Sequence, residues 1–83
     1  MKTLLQTIKE ADEVEIDACW MIIRDRKNGI LRKLRCLALV LDIDEEIVLQ
    51  EAPKDENGRI LDRETRHTIC EVLVSVSKQQ PIE

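Results

Sequence analysis

Residues 30–53 read ILRKLRCLALVLDIDEEIVLQEAP, and the reading of this stretch decides the fold. Ile30, Leu34, Leu37, Ala38 and Leu41 recur at intervals of three and four, the period of an amphipathic helix. The last six residues, Cys36 to Leu41, are apolar all round, so this half of the helix is expected to be covered on most sides. Asp42-Ile43 then interrupts the pattern. The acidic trio Asp44, Glu45 and Glu46 precedes Ile47, Val48 and Leu49, as in a short helix whose first N–H groups are met by carboxylates, and Pro53 closes it.

Upstream, Leu4, Ile8, Ala11, Val14, Ala18, Met21 and Ile22 form one stripe, and Ile16, Trp20 and Ile23 form a second. They predict a helix near residues 3–27, with a break allowed around Asp12 to Glu15. Between Ile16 and Ile23 only Asp17 is polar, which predicts burial on most sides. Asn28-Gly29 supplies a left-handed residue to end the helix, and so short a link makes an antiparallel helical hairpin with residues 30–41. The same dipeptide favours a type I′ β-hairpin, which stays open as the alternative.

Downstream, Pro53 to Gly58 reads as a loop. Asp62 can cap a final helix with Thr65, Ile69, Val72, Leu73 and Val76 on its inner face and Pro81 beyond its end. Thr68, Cys70, Val72, Val74 and Val76 also alternate as a strand would, and Asn57-Gly58 could be a second hairpin turn. The expected fold is therefore mainly α. It is one small helical domain over residues 1–83 with an N-terminal antiparallel helical hairpin, a short third helix and a C-terminal helix, a β reading of the C-terminal part remaining open.

Composition narrows the class. At 83 residues the chain can bury only a modest core, and with Trp20 as its one aromatic that core must be aliphatic, which favours helices over sheets. Charged residues make up 36% of the chain, yet 43% is hydrophobic, which argues for a folded domain rather than disorder. The N-terminal apolar run is broken by Gln6, Lys9 and Glu10, too early for a signal-peptide core. Cys36 to Leu41 is far shorter than the roughly 20 residues that span a bilayer. A cytoplasmic protein with no membrane partner is expected.

Catalytic and metal chemistry find little to stand on. Cys19, Cys36 and Cys70 are odd in number and lie in apolar stretches, so they read as reduced core residues rather than a disulfide framework. A Cys3His zinc site with His67 would have only His67 and Cys70 at helix-compatible spacing, and no CxxC knuckle exists. The two glycines each sit in a turn signal, which excludes a phosphate-cradling loop. The pair His67 and Cys70 has no orienting third group. No catalytic residue, no metal and no cofactor are assigned.

Leu37, Ala38, Leu41, Ile43 and Val48 fall where two helices meeting across a tight turn bury side chains, with the small Ala38 at the closest approach. In this respect residues 34–53, about a quarter of the chain, resemble a helix-turn-helix DNA-binding unit. Asp42 stands where that family usually has Gly, although Asp tolerates the left-handed conformation. Glu51 stands at a position that is normally apolar. The resemblance implies that the second helix reads DNA, but this one would bring Asp44, Glu45 and Glu46 towards phosphates, where affinity comes from Lys and Arg.

Charge completes the reading. From Arg24 to Arg35 there are six basic residues and one acidic; from Asp42 to Glu56 there are seven acidic and one basic, within a net charge of −4. Arg24, Arg26 and Lys27 sit at a helix C-terminus and Asp44 to Glu46 at an N-terminus, where the helix dipole favours them. Arg32, Lys33 and Arg35 occupy the N-terminal half of their helix, where it does not. They also crowd Arg24 and Arg26 at the hairpin tip, at a cost of a few tenths of a kcal/mol per like-charged pair, roughly. Arg24, Arg26, Arg32, Lys33 and Arg35 are therefore the candidate partner-binding residues.

The expected protein is a small non-enzymatic regulator or inhibitor that binds another protein through the basic tip or the acidic segment 42–56. It is expected to be a homodimer, because the apolar belts Ile16–Ile23 and Cys36–Leu41 are too continuous for one short chain to cover. The alternative is a helix-turn-helix-like DNA-binding transcriptional regulator, with nucleic acid as partner.

Overall fold

The computed structural model describes residues 2–79, and these form five helices: α1 Leu4–Lys9, α2 Glu13–Arg24, α3 Ile30–Leu41, α4 Glu45–Glu51 and α5 Asp62–Gln79. The predicted first helix is two. Thr3 and Gln6 form a reciprocal capping box on α1, and Asp12 and Glu15 form another on α2. The Asp12 carboxylate accepts from the Glu15 N–H at 2.8 Å, and the Glu15 carboxylate returns to the Asp12 N–H at 3.1 Å.

That interruption resets the helical phase. Leu4 and Ile8 of the first stripe face the core from α1, but Val14 and Met21, which continue the stripe in sequence, are 77% and 75% exposed on α2. The core face of α2 is Ile16, Cys19 and Ile23. Burial on most sides, expected for Ile16–Ile23, is thus corrected to burial on one side.

The link of residues 25–29 also differs from expectation. Gly29 is not left-handed but extended, with φ −77° and ψ 175°, and serves as the N-cap position of α3. The chain is turned by Asp25 instead: its carboxylate accepts from the Lys27 N–H at 2.9 Å and from the Asn28 amide, an Asx-type turn. The helical hairpin forms without the left-handed residue, and the type I′ β-hairpin does not form.

Helix α3 lies at the centre and contacts each of the other four helices, burying Leu34, Leu37, Ala38 and Leu41. It ends at Asp42, which adopts the left-handed conformation with φ 54° and ψ 51°. The Ile43 N–H donates to the Ala38 carbonyl at 3.0 Å, closing a Schellman-type cap. Asp44 then caps α4 by accepting from the Glu46 N–H at 2.9 Å.

Beyond α4, the Lys54 ammonium donates to the Leu49, Gln50 and Ala52 carbonyls at 2.6, 3.2 and 2.8 Å and so satisfies the end of that helix. Residues 54 and 60 pair as an isolated antiparallel bridge around Asn57-Gly58, with Gly58 left-handed at φ 81°. The possible second hairpin turn is present in this minimal form.

The C-terminal segment is a helix throughout its described length, which corrects the strand alternative. Thr65, Ile69, Leu73 and Val76 are buried at helical spacing while Val74 is exposed, and α5 packs on α1, α2 and α3. Asp62 is the first helical residue rather than the cap: the Thr65 N–H donates to the Leu61 carbonyl at 3.0 Å. Pro81 lies outside the described residues. Among the described residues no helix is long and apolar enough to cross a membrane.

Candidate functional site

The hairpin tip and the first half of α5 enclose a shallow, mostly polar groove lined by Ile23, Arg24, Asp25, Arg26, Asn28, Lys33, Asp62 and Arg66. Four cationic side chains meet two carboxylates there, a local excess of positive charge in an acidic chain. Of the five candidate residues the groove gathers Arg24, Arg26 and Lys33; Arg32 and Arg35 lie outside it.

The three gathered residues do different work. Lys33 is buried, and its ammonium donates to the Ile23 carbonyl at 3.0 Å, one of the free carbonyls at the end of α2. Its position against its own helix dipole is explained by its service to the neighbouring helix. The Arg24 guanidinium lies over the Trp20 ring, 4.8 Å from the centroid, which restricts where this cation points. Arg26 is exposed, and neither it nor Arg24 makes an ion pair among the described residues.

Asp25 organises the floor. The Lys27 N–H first, then the Asn28 amide and the charges of Lys33 and Lys27, hold its carboxyl below the ordinary value of 3.8. Arg66 was not singled out by sequence, since α5 is brought to the hairpin only by the tertiary fold. Its Nε donates to the Asp62 carboxylate at 2.7 Å, an exposed pair one helical turn apart, worth about 0.3–0.5 kcal/mol. The Asp62/Arg66 spacing was the one available signal, and it marks a helix surface rather than a groove.

Arg35 reaches the other way and pairs with Glu45 of α4 at 2.9 Å, tying the two helices of the helix-turn-helix-like unit together. Arg32 is exposed and makes no ion pair among the described residues. Within that unit Leu37, Ala38, Leu41 and Val48 are buried and Ile43 is half-buried. Glu51 has a specific task at its normally apolar position. Its carboxylate accepts from the Leu4 and Leu5 N–H groups at 2.6 and 3.3 Å, so α4 caps the start of α1. The exposed side of α4 presents Asp44, Glu45, Glu46 and Gln50.

The thiols lie apart. Cys19 is buried, and burial, assisted by the Glu15 charge, pushes its thiol up to about 11. Cys36 and Cys70 are half-buried, and all three are free. His67 is engaged with Glu71 on the surface of α5, and among the described residues no three His, Cys, Asp or Glu side chains gather as a metal site. Comparison with family models, with curated proteins and with solved structures found no match for this chain.

Proposed function

We propose that this chain is a small non-enzymatic regulatory or inhibitory protein of the cytoplasm that works as a homodimer and binds an acidic segment of another protein in the groove at the hairpin tip. The observation that carries this reading is the gathering of Arg24, Arg26 and Arg66 around one groove, two of them without an ion pair among the described residues. Guanidinium groups suit carboxylates because their planar forks donate paired hydrogen bonds.

The test uses a labelled poly-glutamate peptide at low salt, followed by fluorescence anisotropy. Binding that weakens with added salt and falls at least tenfold in Arg26→Glu/Arg66→Glu, with the helical content unchanged, supports the reading. No binding at low salt overturns it.

A DNA-binding transcriptional regulator is the second reading, favoured by the left-handed Asp42 turn and the buried seam between α3 and α4. Its difficulty is the acidic start of α4, which would release no counterions from DNA. Absence of affinity for duplex DNA at low salt removes it, whereas salt-steep binding lost in Arg32→Glu would put it first.

A further inference from the structure

The groove at the hairpin tip is short, and contacts within the chain orient two of its cations. Every residue lining it comes from the end of α2, the link to α3, or the starts of α3 and α5, so its positive charge sits in one spot rather than along a track. The Arg24 guanidinium rests over Trp20, 4.8 Å from the ring centroid. Arg66 is held through its Nε on the Asp62 carboxylate at 2.7 Å, which leaves the two Nη groups of its fork unused among the described residues. Arg26 stands exposed at the same groove. Side chains ordered in advance lose less entropy on binding.

The carboxylates of the groove have partners of their own. Asp25 accepts from the Lys27 N–H and the Asn28 amide and lies beside the Lys33 and Lys27 charges, and Asp62 has Arg66. Arg24 and Arg26 have no carboxylate among the described residues, so they carry the local excess of charge, with Lys27 adding to it from the edge. One phosphate monoester brings about −1.5 to −2 near pH 7 on three acceptor oxygens, and guanidinium forks donate to phosphate in pairs. It delivers in one place what carboxylates deliver spread along a segment. Beyond the groove the chain is acidic, with a net charge of −4, so a long polyanion is repelled wherever it leaves the groove. A nucleic-acid strand meets the same repulsion.

We infer that the groove receives a phosphorylated side chain of the partner protein, with Arg24, Arg26 and Arg66 donating to its phosphate oxygens and Trp20 positioning Arg24. This rests on the reading of the groove as a site for an acidic segment and narrows it. A carboxylate also enters, with lower affinity, and phosphorylation of the partner turns binding up.

Fluorescence anisotropy of the full chain at low salt tests it, with labelled Gly-Ala peptides that differ only at a central phosphoserine, glutamate or serine. The phosphoserine peptide is expected to bind at least about tenfold more tightly than the glutamate peptide, and the serine peptide not to bind. Arg26→Glu/Arg66→Glu is expected to abolish binding with unchanged circular dichroism. Arg24→Lys, which keeps the charge but not the fork, is expected to weaken it several-fold. Trp20→Leu is expected to weaken it similarly, whereas Trp20→Phe keeps an aromatic face under Arg24 and is expected to stay near the wild type; equal affinity in Trp20→Leu overturns the positioning by Trp20. Equal affinity for the phosphoserine and glutamate peptides overturns the phosphate assignment and leaves the acidic-segment reading standing, as does binding of poly-glutamate without binding of the phosphoserine peptide. No binding of any of these probes overturns both. Displacement of the phosphoserine peptide by duplex DNA or by inorganic phosphate, more readily per phosphate than by its own unlabelled form, overturns a phosphorylated protein as the occupant.

Discussion

Replacing Lys33 by Met separates a residue that holds the fold from one that waits for a partner. Lys33 is only 7% exposed, and its ammonium donates to the Ile23 carbonyl at 3.0 Å. Methionine keeps the length of the stem and its packing but removes the donor. The loss comprises a hydrogen bond from a charged group, about 1.5–3 kcal/mol, and a cation at a helix C-terminus, about 0.3–1 kcal/mol. Against this stands the relief of no longer burying an ammonium, which offsets part of the loss. The net expectation is a destabilisation of about 1–2 kcal/mol, or a fall in Tm of roughly 5–15 °C for a domain of this size. Thermal and urea unfolding followed by circular dichroism measure it. Arg32→Met is the control; its exposed side chain makes no contact with a helix end, so a change within about 0.5 kcal/mol is expected. A Lys33→Met protein as stable as the wild type would refute the capping argument and return Lys33 to the set of residues free to bind.

Glu51→Gln weakens the cap on α1, because a neutral amide oxygen replaces the carboxylate on the Leu4 and Leu5 N–H groups; a loss of about 1 kcal/mol is expected in urea unfolding. Asp42→Gly relieves a left-handed residue with φ 54° and is expected to leave stability equal or raise it by up to about 1 kcal/mol, whereas Asp42→Val should lower it. The buried Thr65 hydroxyl has no hydrogen-bond partner among the described residues and borders an apolar cavity of about 40 Å³. Thr65→Val, of the same shape, should therefore stabilise by about 1 kcal/mol. With its thiol pushed up to about 11, Cys19 should resist a thiol reagent at about pH 8 in the native protein. Cys36 and Cys70 should label faster, and peptide mapping of the labelled protein checks the order.

Helix identity was legible wherever one apolar period met one packing surface, as in α3 and along Thr65, Ile69, Leu73 and Val76 of α5. What the sequence could not convey was phase across an interruption. Val14 and Met21 continue the stripe begun by Leu4 and Ile8, but Asp12 restarts the helix and they emerge on the solvent side. Asn28-Gly29 misled for a related reason: a glycine permits the left-handed conformation without requiring it, and the Asp25 carboxylate had already made the turn. At the candidate site, Arg24 and Arg26 were legible as a local cluster. Lys33 was legible as anomalous but not as a cap, and Arg66 needed the packing of a helix some forty residues away in sequence.

Part of the sharp change from basic to acidic sequence is explained by contacts within the chain. On the acidic side, Asp44 caps α4, Glu45 holds Arg35, and Glu51 caps α1. Asp55 shapes the turn through the Asn57 and Arg59 N–H groups. A carboxylate already accepting hydrogen bonds within its own chain has less to gain from an incoming cation, because binding would exchange one partner for another. This weakens the segment 42–56 as a docking surface although seven of its residues are acidic. On the basic side Lys33 and Lys54 are occupied in the same way, each closing the end of a helix. Among the described residues Arg24, Arg26, Lys27 and Arg32 make no ion pair and close no helix end; Arg24 and Arg26 line the groove at the tip, and Arg32 is exposed on α3. Charge density in the sequence therefore misdirects here; the argument for binding rests on which cations the fold gathers at one groove, not on how many the sequence places in a row.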